Sequence, residues 1–252
     1  MSIMDMLTIL YHKYLNIKVE DPQWEDRDRF IMSKGHAGIA LAPVLVDKGF
    51  NDPEQLKTFN HTNSKMGMHL DANKVVGVDA STGSLGHGLS MAIGMALAAR
   101  LKGKDYKTYC ILGDGECDEG SNWEAAMTAA QYKVTNLISF VDRNKCMIDG
   151  ETEDVMGLEP FADKWRAFGF IVKEVDGHNL SELAEAIDFA LENTEAPVMI
   201  IANTVKGCGI DFMAGDYRWH YGAIDEDNYN KAKASLDAYY ETRKARAEKE
   251  GK

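Results

Sequence analysis

Residues 110–130 read CILGDGECDEGSNWEAAMTAA, and residues 136–150 read NLISFVDRNKCMIDG. An apolar run from Tyr109 to Leu112 ends in Gly113-Asp114-Gly115, and a helix-compatible segment follows from about Glu119. A second apolar run, Leu137 to Val141, ends in Asp142-Arg143-Asn144, which puts Asp114 and Asn144 30 positions apart. Both residues therefore stand just past the carboxyl end of an expected strand, the edge of a parallel sheet that faces a ligand crevice. A carboxylate and an amide oxygen there suit a hard cation such as Mg²⁺, which takes few protein oxygens and completes its shell with phosphate and water. The flanking glycines allow close approach of a phosphate to the backbone, and the following helix offers free N–H groups. The chemistry is that of a cradle for a cation and a diphosphate.

The alternation of patterns extends in both directions. Apolar spacing predicts a helix over 4–14, a short strand at Phe30-Ile31-Met32 and a helix over 38–48 in which Pro43 limits the early turns. Residues 60–83 are polar and glycine-spaced, and a loop of that length in a compact domain is usually functional. Residues 85–101 predict a helix that is apolar nearly all round and hence buried. Strands are expected at 107–112, 136–142, 170–175 and 198–205, with helices at 120–131, 161–168 and 181–193. Such alternation predicts an α/β three-layer sandwich, a mainly parallel sheet with helices on both faces. Residues 226–252 form a charged, helix-compatible tail, and no linker or repeat divides the chain, so one domain over 1–252 is expected.

Composition narrows the function classes. The chain has 252 residues, 45% hydrophobic and 27% charged, with a net charge of −12. That balance argues against a nucleic-acid groove, which needs basic patches. No run approaches the roughly 18 apolar residues of a membrane span. The four cysteines, Cys110, Cys117, Cys146 and Cys208, form no CxxC pair, and a reducing cytoplasm is the expected compartment.

Gly-Asp-Gly followed about thirty residues later by asparagine resembles the thiamine diphosphate motif, and the Asn-x-x-x-Ile-Asp-Gly ending resembles transketolases. The resemblance implies the thiamine diphosphate-binding fold and its diphosphate-binding module. It implies Asp114, Asn144 and the main-chain carbonyl of Cys146 as ligands to Mg²⁺ (or Ca²⁺ or Mn²⁺), with Gly115 and Glu116 beside the diphosphate. Many members have two consecutive asparagines where Arg143 and Asn144 stand here. His36, in SKGHA, would alone read as a surface or capping histidine; it resembles a transketolase histidine that contacts cofactor and substrate. Gly83-Ser84-Leu85 belongs to a Gly-x-Leu-Gly turn that borders the aminopyrimidine in similar proteins, and His87 stands where relatives often have glutamine.

His69 resembles a histidine that contacts substrate hydroxyls, although this chain has Gly-Met-His-Leu instead of Gly-His-Pro. Lys206 and His220 match a cationic lysine and a Trp-His-Gly-like histidine. Lys206 read by itself is a solvated loop charge, and His220 can donate hydrogen bonds and shuttle a proton. Glu119 matches a glutamate at the subunit contact, and also reads as a carboxylate stabilised at a helix N-terminus.

The resemblance covers the first module of a transketolase. It implies an enzyme that moves a two-carbon ketol unit from a ketose phosphate to an aldose, completed by a partner chain carrying the pyrimidine-binding module, in an assembly of two copies of each. The family's early Gly-His-x-Gly segment has no counterpart in these residues, and Ser2–His12 resembles the helix that follows it. Rival readings are one half of a 2-oxo-acid dehydrogenase and a non-catalytic paralogue that binds the cofactor without turnover.

Overall fold

In the computed structural model, which describes residues 1–249, five strands form one sheet whose pairings are all parallel. The last three positions of the tail expected over 226–252 lie outside the described residues. The strands are β1 (Arg29–Met32), β2 (Thr108–Gly113), β3 (Leu137–Arg143), β4 (Ile171–Asp176) and β5 (Val198–Asn203), in the spatial order β1-β2-β3-β5-β4. The helices are α1 (Met4–Ile9), α2 (Gly38–Asp47), α3 (Gly88–Leu101), α4 (Gly120–Gln131), α5 (Thr152–Val155), α6 (Phe161–Ala167), α7 (Leu180–Glu192) and α8 (Glu226–Lys249).

Alternate strand residues feed two separate cores. Tyr109, Ile111, Ile138, Phe140, Val198 and Ile200 pack with Met6 and Leu7 of α1, Leu41 of α2 and Leu183 of α7. Their neighbours Cys110, Leu112, Leu137, Val141, Met199 and Ile201 pack with Leu89 and Ile93 of α3, Ala126 of α4 and Trp165 of α6. This is the three-layer α/β sandwich expected from the alternation. Helix α7 shows how the sequence specifies one layer. Asn179 Oδ1 accepts from Ser181 N at 3.1 Å, while Glu182 reaches back to accept from Asn179 Nδ2 at 2.8 Å. These contacts cap the first turn, and Leu183, Ala186, Ile187 and Ala190 then fall on one buried face. Burying each of the two large side chains contributes about 1.5–3 kcal/mol.

Three expectations need correction. Helix α3 begins at Gly88, not at residue 85, because Gly86 takes φ +84° and turns the chain first. It is also not buried all round: Gly88, Leu89, Ala92, Ile93, Ala96 and Ala99 face the core, whereas Leu101 is 88% exposed. The first helix is not uniform over 4–14, because its last turn, Leu10–Tyr14, widens to a π-helix. The loop over 60–83 is ordered by partners. Asp79 Oδ2 accepts from Phe30 N at 2.7 Å and Thr82 Oγ1 donates to the Met32 carbonyl at 2.6 Å, so the loop covers the free edge of β1. Because every strand points the same way, Ser33, Asp114, Asn144 and Thr204 all leave the sheet at one end.

Candidate active site

Asp142, one residue before the end of β3, is fully buried and organises this end of the sheet. Its Oδ2 accepts from Ser2 Oγ at 2.7 Å, from Asn144 Nδ2 at 2.9 Å and from the Lys34 ammonium. Its Oδ1 accepts from Thr204 Oγ1. Burial pushes the Asp142 carboxyl up, but the Lys34 charge and the donors from Lys34, Thr204 and Ser2 outweigh it and bring the pKa down to about 2. One ion therefore ties together the segments that follow β1, β3 and β5.

Asp114 lies beside it, 2% exposed. Its Oδ1 accepts from Gly115 N at 2.8 Å and its Oδ2 from Lys145 N at 2.6 Å. Burial and the neighbouring Asp142 charge raise its pKa. Two buried carboxylates this close favour a nearby cation. Asn144 donates its amide N–H to Asp142, which fixes the amide orientation, and its Oδ1 accepts from Cys146 N at 3.0 Å. Lys145 between them is left-handed, φ +62°, and Cys146 pairs with Glu151 in a single antiparallel bridge. The structure thus brings Asp114, just past the end of β2, against the loop that holds Asn144 and the Cys146 main chain. A carboxylate, an amide oxygen and a carbonyl form an all-oxygen set suited to a hard divalent cation.

A second group faces the same end. His36, in the one-turn segment after Ser33, and His220, in the segment after Asp216, have ring centroids 5.3 Å apart. Lys206 Nζ donates to His220 Nδ1 across 3.2 Å. Burial and then the surrounding positive charges hold both histidines near pKa 4: Lys34, His220, His69 and Lys206 act on His36, and Lys206 and Lys34 act on His220. Burial, reinforced by Lys34, also lowers the Lys206 ammonium. A half-buried cation whose contact is a neutral histidine rather than a carboxylate is a site that lacks, and would welcome, an anion. These two observations, an oxygen-lined cation loop beside an anion-seeking cluster, fit Mg²⁺ and a diphosphate.

The remaining expected residues sit around this pair. His69 is exposed and lies over Gly83, where an added Cβ would stand 3.1 Å from its Nδ1. Ser84 is exposed and Leu85 half-buried in the turn before α3. His87 Nδ1 contacts the Leu85 carbonyl at 3.1 Å, which ties the ring back to its own turn. Gly115 lies against Met147, whose Cγ an added Cβ would approach to 3.0 Å. Glu116 differs from its neighbours: its carboxylate accepts from Ser33 Oγ, from Gly86 N at 2.9 Å and from Gly113 N at 2.9 Å. It binds three turns to one another inside the protein, which leaves its main chain as what it offers a ligand. Glu119 is exposed at the N-cap of α4 without a capping side-chain bond.

Sequence reasoning overlooked Lys34, Asp142 and Thr204. The available signal was weak: an aspartate at the end of an apolar strand must find a counter-charge when buried, but nothing local indicates which lysine supplies it.

The architecture and this end of the sheet define an α/β module built to receive a charged ligand at the carboxyl edge of a parallel sheet. The chain belongs to the transketolase family: the family described as "Transketolase, thiamine diphosphate binding domain" matches residues 1–247. It is 43% identical over 237 residues to the 6-deoxy-6-sulfo-D-fructose transketolase subunit of Clostridium sp. (strain MSTE9), covering 94% of this chain and 86% of that one. It is 40% identical to one of the apulose-4-phosphate transketolase subunits of Phocaeicola vulgatus, covering 92% of this chain and 82% of the relative. The crystal structure of transketolase from Campylobacter jejuni superposes with a TM-score of 0.85 at 32% identity, over 92% of this chain. This chain spans 37% of that larger protein.

Proposed function

We propose that this chain is the diphosphate-binding subunit of a split transketolase, folded as one domain and active with a separate chain that supplies the pyrimidine-binding module. The observation that carries the reading is the meeting, at one sheet end, of the Asp114–Asn144–Cys146 oxygens with the Lys206–His220–His36 cluster. The two relatives named as subunits, each of a length close to this chain's, favour the split arrangement.

In this reading Asp114, Asn144 Oδ1 and the Cys146 carbonyl hold Mg²⁺, and Gly115 leaves room for a diphosphate against the main chain. Thiamine diphosphate, when bound, supplies a nucleophilic carbon and an electron sink for exchange of a two-carbon ketol unit. The chain's own groups orient and neutralise. Lys206 compensates diphosphate charge. His36 and His220 lie side by side, and His220, whose Nδ1 takes the Lys206 donor, can donate from Nε2 to a sugar oxygen while His36 exchanges a proton with another. His69 stands over the Gly83–Leu85 turn, where it can meet a substrate hydroxyl. Glu119, exposed at the head of α4, would meet the partner in this reading. The assembly takes two copies of each chain, since closed twofold symmetry is the commonest solution for soluble oligomers.

The test is ketol transfer from a ketose phosphate to an aldose by the chain purified with its candidate partner. Activity should disappear on chelation of divalent cations or omission of thiamine diphosphate and return when both are restored. Turnover indifferent to either would overturn the assignment.

A further inference from the structure

Arg143 stands between Asp142 and Asn144, at the end of β3, and its side chain has no part in the chemistry above. Yet it is 3% exposed and among the most heavily bonded groups near the site. Nη1 donates to Thr152 Oγ1 at 2.8 Å and, at a longer 3.4 Å, to Asp114 Oδ2. Nη2 donates to Glu153 Oε1 at 2.8 Å and to Glu159 Oε1 at 3.0 Å. The guanidinium also lies 5.3 Å from the Phe161 ring.

These partners are the two ends of the cation loop and the entry to the next helix. Lys145 N bonds Asp114 Oδ2 at 2.6 Å, Met147 N bonds the Gly150 carbonyl at 2.8 Å, and Thr152 N returns to the Lys145 carbonyl at 2.9 Å. Glu153 accepts in turn from Leu158 N, and Glu159 from Phe161 N at the head of α6. A planar fork with five fixed donors can hold such a set together, where a lysine presents a single point charge.

We infer that Arg143 is a positioning residue: a buried clamp that holds the loop from Asn144 to Thr152 against Asp114 in the conformation that presents oxygen ligands to the cation. The inference rests on the cation site proposed above. The assignment turns on reach, since the one guanidinium bonds Thr152, Glu153 and Glu159 at once.

Two measurements on the full chain test it. The first is amide hydrogen exchange without ligands. Arg143→Lys should speed exchange at Lys145, Met147 and Thr152 by tenfold or more, as a rough expectation for loss of the clamp, while Tyr109 and Phe140 in the central strands keep their protection. Glu153→Gln removes one arm without baring a buried charge, and should loosen the same amides to a smaller extent. The second is titration with Mn²⁺ in the presence of thiamine diphosphate, followed by electron paramagnetic resonance. Outer-sphere groups typically govern metal affinity by about 10- to 100-fold, and Arg143→Lys should fall in that range. Native exchange rates at the loop amides in both variants would overturn the clamp. Faster exchange with unchanged Mn²⁺ affinity would reduce Arg143 to ordinary packing and overturn its positioning role. Failure of the native protein, alone and with its partner, to bind Mn²⁺ would sink the cation site instead, leaving the clamp to be judged by exchange alone.

Discussion

Asp114 is a buried carboxylate held by main-chain donors beside a second buried carboxylate, Asp142. Asp114→Ala removes a charged contact worth about 1.5–3 kcal/mol, so thiamine diphosphate affinity in the presence of Mg²⁺ should fall roughly 10- to 150-fold by calorimetry on the assembled protein. Unchanged affinity would remove Asp114 from the site. The histidines allow a separate test. Burial first, then neighbouring lysines, holds His36 and His220 at about 4 against an ordinary 6.5. Between those values the unfolded chain binds more protons than the folded one, so stability should climb as pH rises from 4 to 6.5 and level off above. Urea midpoints across that range measure it, and His36→Gln with His220→Gln should flatten the slope. Inorganic pyrophosphate should also raise both histidine pKa values, read from their ring proton shifts. At this scale the sequence was legible where chemistry is local. Glycine on both sides of Asp114, and a strand-ending asparagine at 144, announce themselves. The Lys34–Asp142 pair does not, because its members stand 108 positions apart and meet only through the sheet.

Helix α3 and the turn before it show what periodicity conveys and where it stops. Apolar spacing revealed the helix, but the start was set by Gly86, whose left-handed φ is a backbone fact that spacing cannot report. An added Cβ at Gly86 would collide with Ser121 Oγ and come within 2.7 Å of Glu119 Cβ. Gly88 is equally constrained, since a Cβ there would strike Ser33. Gly94, in the middle of the same helix, has open space around it. The two helical glycines should therefore answer oppositely to alanine. Gly94→Ala should stabilise the isolated chain by about 0.5–1 kcal/mol through lower backbone entropy, or roughly 1–4 °C in Tm. Gly88→Ala should lower Tm by pushing α3 off the end of β1, and a calorimetric scan distinguishes the two directions. The short segments Pro53–Thr58 and Thr152–Val155 were not legible, because single turns hold by caps and tertiary contacts rather than by a repeating face. Asp52, for instance, accepts from Glu54 N at 2.9 Å to start the first of them.

In the proposed split arrangement, turnover depends on a partner chain, as the subunit names of the two similar relatives favour. Ketol transfer should be undetectable with this chain alone and appear on reconstitution, with light scattering reporting the larger assembly. Robust transfer by the isolated chain would refute the split arrangement. The order of the strands has a further consequence, for biosynthesis. The ribosome delivers β1, β2 and β3 in the order in which they lie side by side, but β4 emerges before its sheet neighbour β5, which must slot between β3 and β4. Until Val198–Asn203 has been translated, the backbone edge of β3 has no strand on that side, flanked by Ile138, Phe140 and Val141. A released fragment of residues 1–197 should thus be protease-sensitive throughout β4 and prone to edge-to-edge association, whereas one of residues 1–225 should protect that strand. From the end of β3 at Arg143 to the end of β5 at Asn203 the ribosome must add 203 − 143 = 60 residues, and for that interval the sheet is half-built, with an edge open to the wrong strand.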